Sequence, residues 1–214
     1  LRCIPAESQY AGMVRDVIQW FKENPDDWQK TWQCVEEKYH KDPKFTHGLC
    51  SKPGGEGASS IDVKLNGAYV IMGLLYGQGD PDKTILIACR SGQDSDCNPS
   101  NAAGVLFATM GLSKVPARFT EKLNPDARYS FSDYTVPKVY EVSEKLARQA
   151  VLRAGGRIEK NEKGEEVFVI PVQEPRPEKL ERSWEPGPAA DAKFTPEEMS
   201  QIKPPPPKPK GTGK

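Results

Sequence analysis

A short acidic segment, residues 92–99, carries the residue types best suited to chemistry. Asp94 and Asp96 stand two positions apart in it, between a glycine and a proline. Two carboxylates this close repel each other, and a hard cation such as Mg²⁺ or Ca²⁺ relieves the repulsion by taking oxygens from both. The alternative is a solvated acidic loop in which one Asp or Asn98 caps the following helix. The sequence leaves both interpretations open.

The element before this segment is predicted to be a buried helix. Asp80-Pro81 is typical of a helix start, with Asp at the N-cap and Pro at the first helical position. Residues 84–89 then form an apolar run without polar alternation, and the flanking residues favour a helix over a strand. Ser91-Gly92 ends the helix, because Gly readily adopts the left-handed conformation that follows a helix.

A second buried helix is predicted after the acidic segment. Asn98-Pro99 repeats the cap-and-proline start, and Gly111 closes the small, apolar stretch of residues 100–110. Four small residues in it allow a neighbouring backbone to approach closely: Ala102, Ala103, Gly104 and Ala108. The acidic segment is therefore expected to be a rigid turn between two buried helices, a suitable place for metal ligands.

One more helix, over residues 61–77, is predicted to lie in the core. Its apolar residues share a face at helical spacing: Ile61, Leu65, Tyr69 and Met72. The apolar part is too short for a membrane span, and it contains Asn66 and two glycines. Asp62 and Asn66 lie one turn apart and form a polar stripe that either serves a site or faces solvent.

Residues 61–119 resemble the C-terminal half of an ADP-ribosylglycohydrolase domain. That family's pattern has an apolar helix ending in Leu-Tyr-Gly, a Gly-x-Asp-x-Asp segment, a small-residue helix and a closing Gly-x-x-x-(Ile/Val)-Pro. The matching residues here are 74–77, 92–96, 103–104 and 111–116. The resemblance predicts a mainly α, ADP-ribosylglycohydrolase-like helical domain, present in part.

The resemblance also implies the chemistry. The family cleaves an N- or O-glycosidic bond to ADP-ribose with two Mg²⁺ ions, acting on an ADP-ribosylated protein or small molecule. By position, Asp94 and Asp96 would be metal ligands. Gly92, Ser95 and Asn66 are the candidate substrate-binding residues beside them. The family usually has Thr where this chain has Cys97, and a thiol is a poor ligand for Mg²⁺.

The family's other metal ligands and its catalytic acidic residue lie in an N-terminal half that residues 1–60 do not resemble. The acids of this region are predicted to be helix-surface and capping charges: Glu7, Asp16, Asp26, Asp27, Glu36 and Glu37. We therefore expect a fragment, or one part of a two-chain protein whose catalytic residues come from a separate N-terminal half. The alternative is a catalytically silent module of the same fold that binds or supports structure.

Composition gives the remaining expectations. The chain has 214 residues and no formal net charge, with 30 basic and 30 acidic side chains, so nucleic acid is not a predicted partner. Five cysteines without repeated spacing indicate no disulfide framework. The chain begins at Leu1 rather than Met, so localisation is left open, with the cytoplasm slightly favoured.

The predicted organisation has three parts. Residues 1–154 form the helical domain, with an N-terminal helix near residues 9–22, a second one around Trp28 to Tyr39 and an amphipathic helix at 133–154. Residues 155–190 add a small β-hairpin with a charged turn. Residues 191–214 are rich in Pro and Lys and are predicted to be a disordered tail.

Overall fold

The computed structural model describes residues 1–42, 44–45, 62–180, 197 and 200. The chain separates into two compact units, residues 1–179 and 180–214. The elements of the first unit are α1 (Gln9–Glu23), α2 (Trp28–Val35), a π-helical turn (Glu36–Lys41), α3 (Val63–Gly77), α4 (Pro81–Arg90), α5 (Cys97–Met110), α6 (Val136–Arg153), β1 (Arg157–Lys160) and β2 (Glu166–Val169). The predicted mainly α class with a small C-terminal hairpin is confirmed. Ile61 and the Pro-rich tail, apart from residues 197 and 200, lie outside the described residues. The boundaries after residues 154 and 190 stay predictions.

Helix α3 is the centre of the core. Leu65, Tyr69 and Met72 are fully buried, as their spacing predicts, and α1, α2, α4 and α5 all pack against this helix. Burying side chains of this size contributes about 1.5–3 kcal/mol each before conformational entropy is subtracted. The position of α3 therefore determines where its polar residues lie.

Two glycines let α3 and α4 approach closely. A Cβ added at Gly73 would lie 2.8 Å from the backbone oxygen of Thr84, and one at Gly77 would lie 2.9 Å from the Thr84 Cα. Helix α4 starts as predicted, with Asp80 accepting a hydrogen bond of 2.9 Å from the Lys83 N–H and Pro81 at the first helical position. Because Gly73 and Gly77 have no side chains, α3 and α4 can pack at this short distance.

The sequence-based prediction that Glu36 is a surface charge is wrong. Its side chain is buried beneath α3, where it accepts hydrogen bonds from the hydroxyl of Tyr69 and from Nδ1 of His40. The pKa of Tyr69 is raised, mainly by burial and to a smaller extent by the hydrogen bond to Glu36. Buried carboxylates need partners of this kind, so Glu36 joins the π-helical turn to the core instead of facing water.

The C-terminal elements form as predicted but bury little. In the hairpin, Arg157 pairs with Val169 and Lys160 with Glu166. None of the residues of α6 is buried, and Tyr140 and Leu146 of its apolar stripe are more than half exposed. The amphipathic pattern therefore predicted the helix correctly, but its apolar face is not fully covered by another described element. Among the described helices, none is both long enough and apolar enough to cross a membrane.

Replacing Gly73 with Ala should destabilise the protein, because the new methyl group would press on the Thr84 backbone, which cannot rotate away. We expect a loss of about 1–2 kcal/mol in the free energy of unfolding, measured by urea denaturation, after the gain in helix propensity is subtracted. Gly104→Ala in α5 is the matched control, since a Cβ there meets nothing within 4 Å. The control should be neutral or stabilising, and equal losses at both positions would contradict the close packing of α3 on α4.

Candidate metal centre

The acidic turn, residues 91–96, connects α4 to α5. Two consecutive residues with positive φ shape it, Gly92 at +97° and Gln93 at +55°. The left-handed glycine that the sequence predicts is confirmed, and the Ser95 N–H then bonds the Gln93 carbonyl oxygen at 3.0 Å. This local folding brings the backbone back toward α3 before α5 begins.

Asn66 of α3 holds the turn in place. Its Oδ1 accepts hydrogen bonds from the backbone N–H of Asp94 at 3.2 Å and from the side-chain amide of Asn98 at 2.8 Å. Its own amide donates to the Asp62 carbonyl oxygen at 3.2 Å. Of the polar stripe predicted on α3, Asn66 therefore contacts the turn, whereas the buried Asp62 side chain caps α3 by accepting a hydrogen bond of 2.8 Å from the Lys64 N–H. Any substrate contact by Asn66 remains a prediction.

The predicted start of α5 at Asn98-Pro99 is wrong. The helix begins at Cys97 with Asp96 as its N-cap residue, because the Asp94 Oδ1 already accepts the Cys97 N–H at 3.2 Å. Pro99 is the third helical residue, where its missing N–H costs nothing because the first four N–H groups have no partner within the helix. Asn98, freed from capping, is buried and bonds to Asn66.

Three side chains of ligand type come together at the turn and the first residue of α5. One ligand atom each from Asp94, Asp96 and Cys97 lies within 4.8 Å of the other two. A single ion about 2.0–2.3 Å from each ligand separates opposite ligands by up to about 4.5 Å, so small side-chain rotations would bring the three together. Asp94 is half-buried, whereas Asp96 and Cys97 are exposed.

Hydrogen bonds within the group shift the pKa values of two of its side chains. The pKa of Asp94 is lowered, first by hydrogen bonding with the Asp96 carboxyl and then by hydrogen bonding with the Cys97 thiol and N–H. The same contact with Asp94, together with its negative charge, raises the pKa of the Cys97 thiol. Asp94 is therefore held as a carboxylate, and the Cys97 thiol beside it is held in its protonated form.

The carboxylates suit a divalent cation, and the number of donors limits how many ions can bind. Mg²⁺ needs one or two carboxylates with waters or substrate oxygens completing its shell, which Asp94 and Asp96 can supply. Within the described ranges, no other group of three His, Cys, Asp or Glu side chains lies close enough to hold an ion. A two-ion centre would therefore draw further ligands from elsewhere.

Four of the six predicted N-terminal acids have structural partners, and the other two, Glu7 and Asp26, are exposed as predicted. Asp16 accepts from the Lys38 ammonium and the Tyr39 hydroxyl, each at 2.5 Å, and Asp27 caps α2. Glu36 is bound by Tyr69, and Glu37 pairs with Lys41 at 2.5 Å. The geometry assigns these four side chains to the packing and capping of helices.

The other predicted substrate residues lie in the turn itself. Ser95 is exposed, and Gly92 is half-buried with nothing within 4 Å of the position that a Cβ would take. The sequence did not indicate that the Asn98 side chain would bond to Asn66 and help to hold the turn. The only available signal was its spacing from the acids, and that spacing fits a capping role equally well.

Replacing Asn66 with Ala should loosen the acidic turn, because the buried amide of Asn98 would keep only a 3.4 Å contact with the Gly92 carbonyl oxygen. We expect a loss of about 1–3 kcal/mol in the free energy of unfolding by chemical denaturation. Asn101→Ala is the matched control: its amide bonds the Cys97 carbonyl oxygen at 2.8 Å but is exposed. The control should cost less than about 0.5 kcal/mol. Similar costs at both positions would show that Asn66 has no special role in holding the turn.

Comparison with known proteins identifies a family for this chain. The sequence profile of the ADP-ribosylglycohydrolase family matches residues 3–157, which include the acidic turn and all of the helices that hold it. Searches of curated proteins and of solved structures found no match. Because the family profile covers more than half of the chain, this protein belongs to the ADP-ribosylglycohydrolase family.

Proposed function

We propose that this chain contributes to metal-dependent hydrolysis of an N- or O-glycosidic bond to ADP-ribose, with Mg²⁺ as the ion. The observation that carries the proposal is the convergence of Asp94 and Asp96 on a turn fixed by Asn66, within the segment that matches the family. The substrate would be ADP-ribose joined to a protein or small molecule. A glycosidase uses positioned carboxylates and ordered water, and this turn supplies the first of these.

Each residue of the turn has a distinct part in this proposal. Asp94 and Asp96 hold the ion. Asn66 keeps the Asp94 backbone in position while the ion and the substrate bind and leave. Bound to the turn, the cation would orient and polarise ribose hydroxyls. Gly92 leaves space for the substrate to approach the backbone, and the exposed hydroxyl of Ser95 offers it a hydrogen bond.

The general acid or base belongs, in this proposal, to a separate N-terminal half that also supplies the ligands for a second ion. Two observations support this division. First, the candidate metal ligands found among the described residues include only two carboxylates. Second, N-terminal acids such as Asp16 and Glu36 already form hydrogen bonds with other helical residues. The chain alone would then bind metal and ADP-ribose but turn over little or no substrate.

A second candidate function is a catalytically silent binding module. Cys97 favours it, since it stands where the family usually has a threonine oxygen beside the metal. A silent module would have no need for divalent metal when it binds ADP-ribose. The dependence of ADP-ribose binding on metal therefore separates the two candidates.

Calorimetric titration with Mg²⁺, in the presence and absence of ADP-ribose, tests the proposal. The native chain should bind Mg²⁺ more tightly when ADP-ribose is present, because substrate oxygens complete the coordination shell. Asp94→Asn/Asp96→Asn should abolish this binding, as each amide lacks the charge of the carboxylate. Asp82→Asn is the control, because it removes an exposed carboxylate that pairs with Arg118 at 2.7 Å, and it should bind like the native chain.

Two results would contradict the proposal. Binding of ADP-ribose with unchanged affinity in the presence of a chelator would favour the silent module. Mg²⁺ binding that survives in Asp94→Asn/Asp96→Asn would place any metal site elsewhere. Hydrolysis of an ADP-ribosylated peptide by the chain alone would keep the function but overturn the need for a separate half.

A further inference from the structure

A tryptophan outside the acidic turn bonds to the residue at which the turn begins. The indole N–H of Trp32, in α2, donates a hydrogen bond of 2.8 Å to the backbone carbonyl oxygen of Ser91. Ser91 is buried and directly follows α4, where the last carbonyl groups of a helix have no partner within the helix. Within the described part of the chain, no backbone N–H donates to this oxygen. Trp32 therefore supplies the partner that a buried carbonyl group needs.

Helix α2 holds this indole in place through contacts of its own. Thr31, the neighbour of Trp32 in the sequence, is fully buried, and its hydroxyl lies 2.7 Å from the hydroxyl of Tyr76 near the end of α3. Tyr76 also donates a hydrogen bond of 2.7 Å to the carbonyl oxygen of Asn24, just before α2. Val35, the last residue of α2, is fully buried in the core. The position of Trp32 is therefore set by contacts that do not involve the acidic turn.

The turn needs support at both ends because its backbone is strained between them. Gly92 and Gln93 both have positive φ, at +97° and +55°, and this left-handed conformation is unfavourable for a residue that carries a Cβ, such as Gln93. A strained backbone of this kind persists only where the surrounding contacts impose it. Trp32 holds the residue before this left-handed step, and Asn66 holds Asp94 after it. Two helices, α2 and α3, thus fix the two ends of the step.

We propose that Trp32 is a positioning residue of the candidate metal centre. Through Ser91 it keeps the left-handed step in place, and the step sets where the carboxylates of Asp94 and Asp96 lie. This role rests on the proposed function for the metal that the two carboxylates bind, and Trp32 itself touches neither metal nor substrate. A residue of the N-terminal helices thus contributes to the site, although none of the described N-terminal acids belongs to the group of candidate ligands.

Trp32→Phe tests the effect on the turn, because it removes the indole N–H and keeps an aromatic ring. Backbone amide hydrogen exchange, followed by NMR, should become about fivefold faster or more at Asp94 and Ser95, relative to the exchange of buried α3 amides. Trp28→Phe is the matched control: Trp28 lies in the same helix, is half-buried against the same core and has no side-chain hydrogen bond among the described residues. The control should leave the exchange at the turn, relative to α3, as it is in the native chain.

The same two variants test the effect on metal binding. In calorimetric titrations with Mg²⁺ in the presence of ADP-ribose, Trp32→Phe should bind the ion about tenfold more weakly than the native chain. Trp28→Phe should bind it with native affinity. In the native chain, addition of Mg²⁺ should shift the NMR signal of the Trp32 indole N–H and leave that of Trp28 in place, although neither side chain is a ligand.

Three results would overturn the role of Trp32. The first is unchanged exchange at Asp94 and Ser95 in Trp32→Phe. The second is faster exchange by the same factor at the turn and in α3, which would show a general loss of stability and no specific hold on the turn. The third is equal Mg²⁺ affinity of the two tryptophan variants in a chain that binds Mg²⁺ in its native form.

Failure of this role and failure of the proposed function are distinguishable. If the native chain binds Mg²⁺ with ADP-ribose and Trp32→Phe binds it equally well, the function stands and the role of Trp32 is wrong. If Trp32→Phe selectively speeds exchange at the turn while the native chain binds no Mg²⁺, Trp32 does position the turn and the function is wrong.

Discussion

The conformation of the acidic turn depends on the hydrogen bonds that the side-chain carbonyl of Asn66 accepts. It accepts two hydrogen bonds from the turn region, one from the Asp94 backbone and one from the buried Asn98 amide, and so joins α3 to the start of α5. Helix α3 is in turn fixed by the burial of Leu65 and Tyr69 and by its close approach to α4 at Gly73. The packing of the hydrophobic core therefore determines where the two carboxylates lie, although Asp96 itself is exposed.

Exposure has a consequence for stability. Two unit charges 4 Å apart repel by about 1 kcal/mol in water and by about 4 kcal/mol at an effective dielectric constant of about 20. Because Asp96 and Cys97 face solvent and share hydrogen bonds with Asp94, the repulsion in this turn belongs near the lower figure. The turn can therefore keep its shape without an ion, so the proposed metal binding would serve function more than folding.

The sequence predicted those features that depend on local chemistry. The Asp80-Pro81 start of α4, the left-handed Gly92 and the buried face of α3 all follow from capping, backbone freedom and periodicity, and all are confirmed. The resemblance to the ADP-ribosylglycohydrolase family was also correct. The close juxtaposition of Asp94 and Asp96 follows from the same local spacing.

Features that depend on tertiary partners were out of reach. Asn98 looked like a helix cap because no local signal showed that Asn66, 32 positions away, would bond its amide. Glu36 looked like a surface charge because its partner Tyr69 lies on another helix. The apolar stripe of α6 predicted a helix correctly, but periodicity cannot say whether another element covers that stripe.

In the proposed site, Asp94 and Asp96 are the ligands of a metal ion, and Asn66 holds the turn before the ion binds. Anomalous diffraction from crystals of this chain soaked in Mn²⁺ is the decisive measurement, since Mn²⁺ accepts oxygen ligands and scatters anomalously more strongly than lighter atoms. We expect an anomalous peak about 2.2 Å from an oxygen of each carboxylate, with Asn66 still bonded to the turn. A well-ordered turn without a peak, or a peak only at other residues, would contradict it.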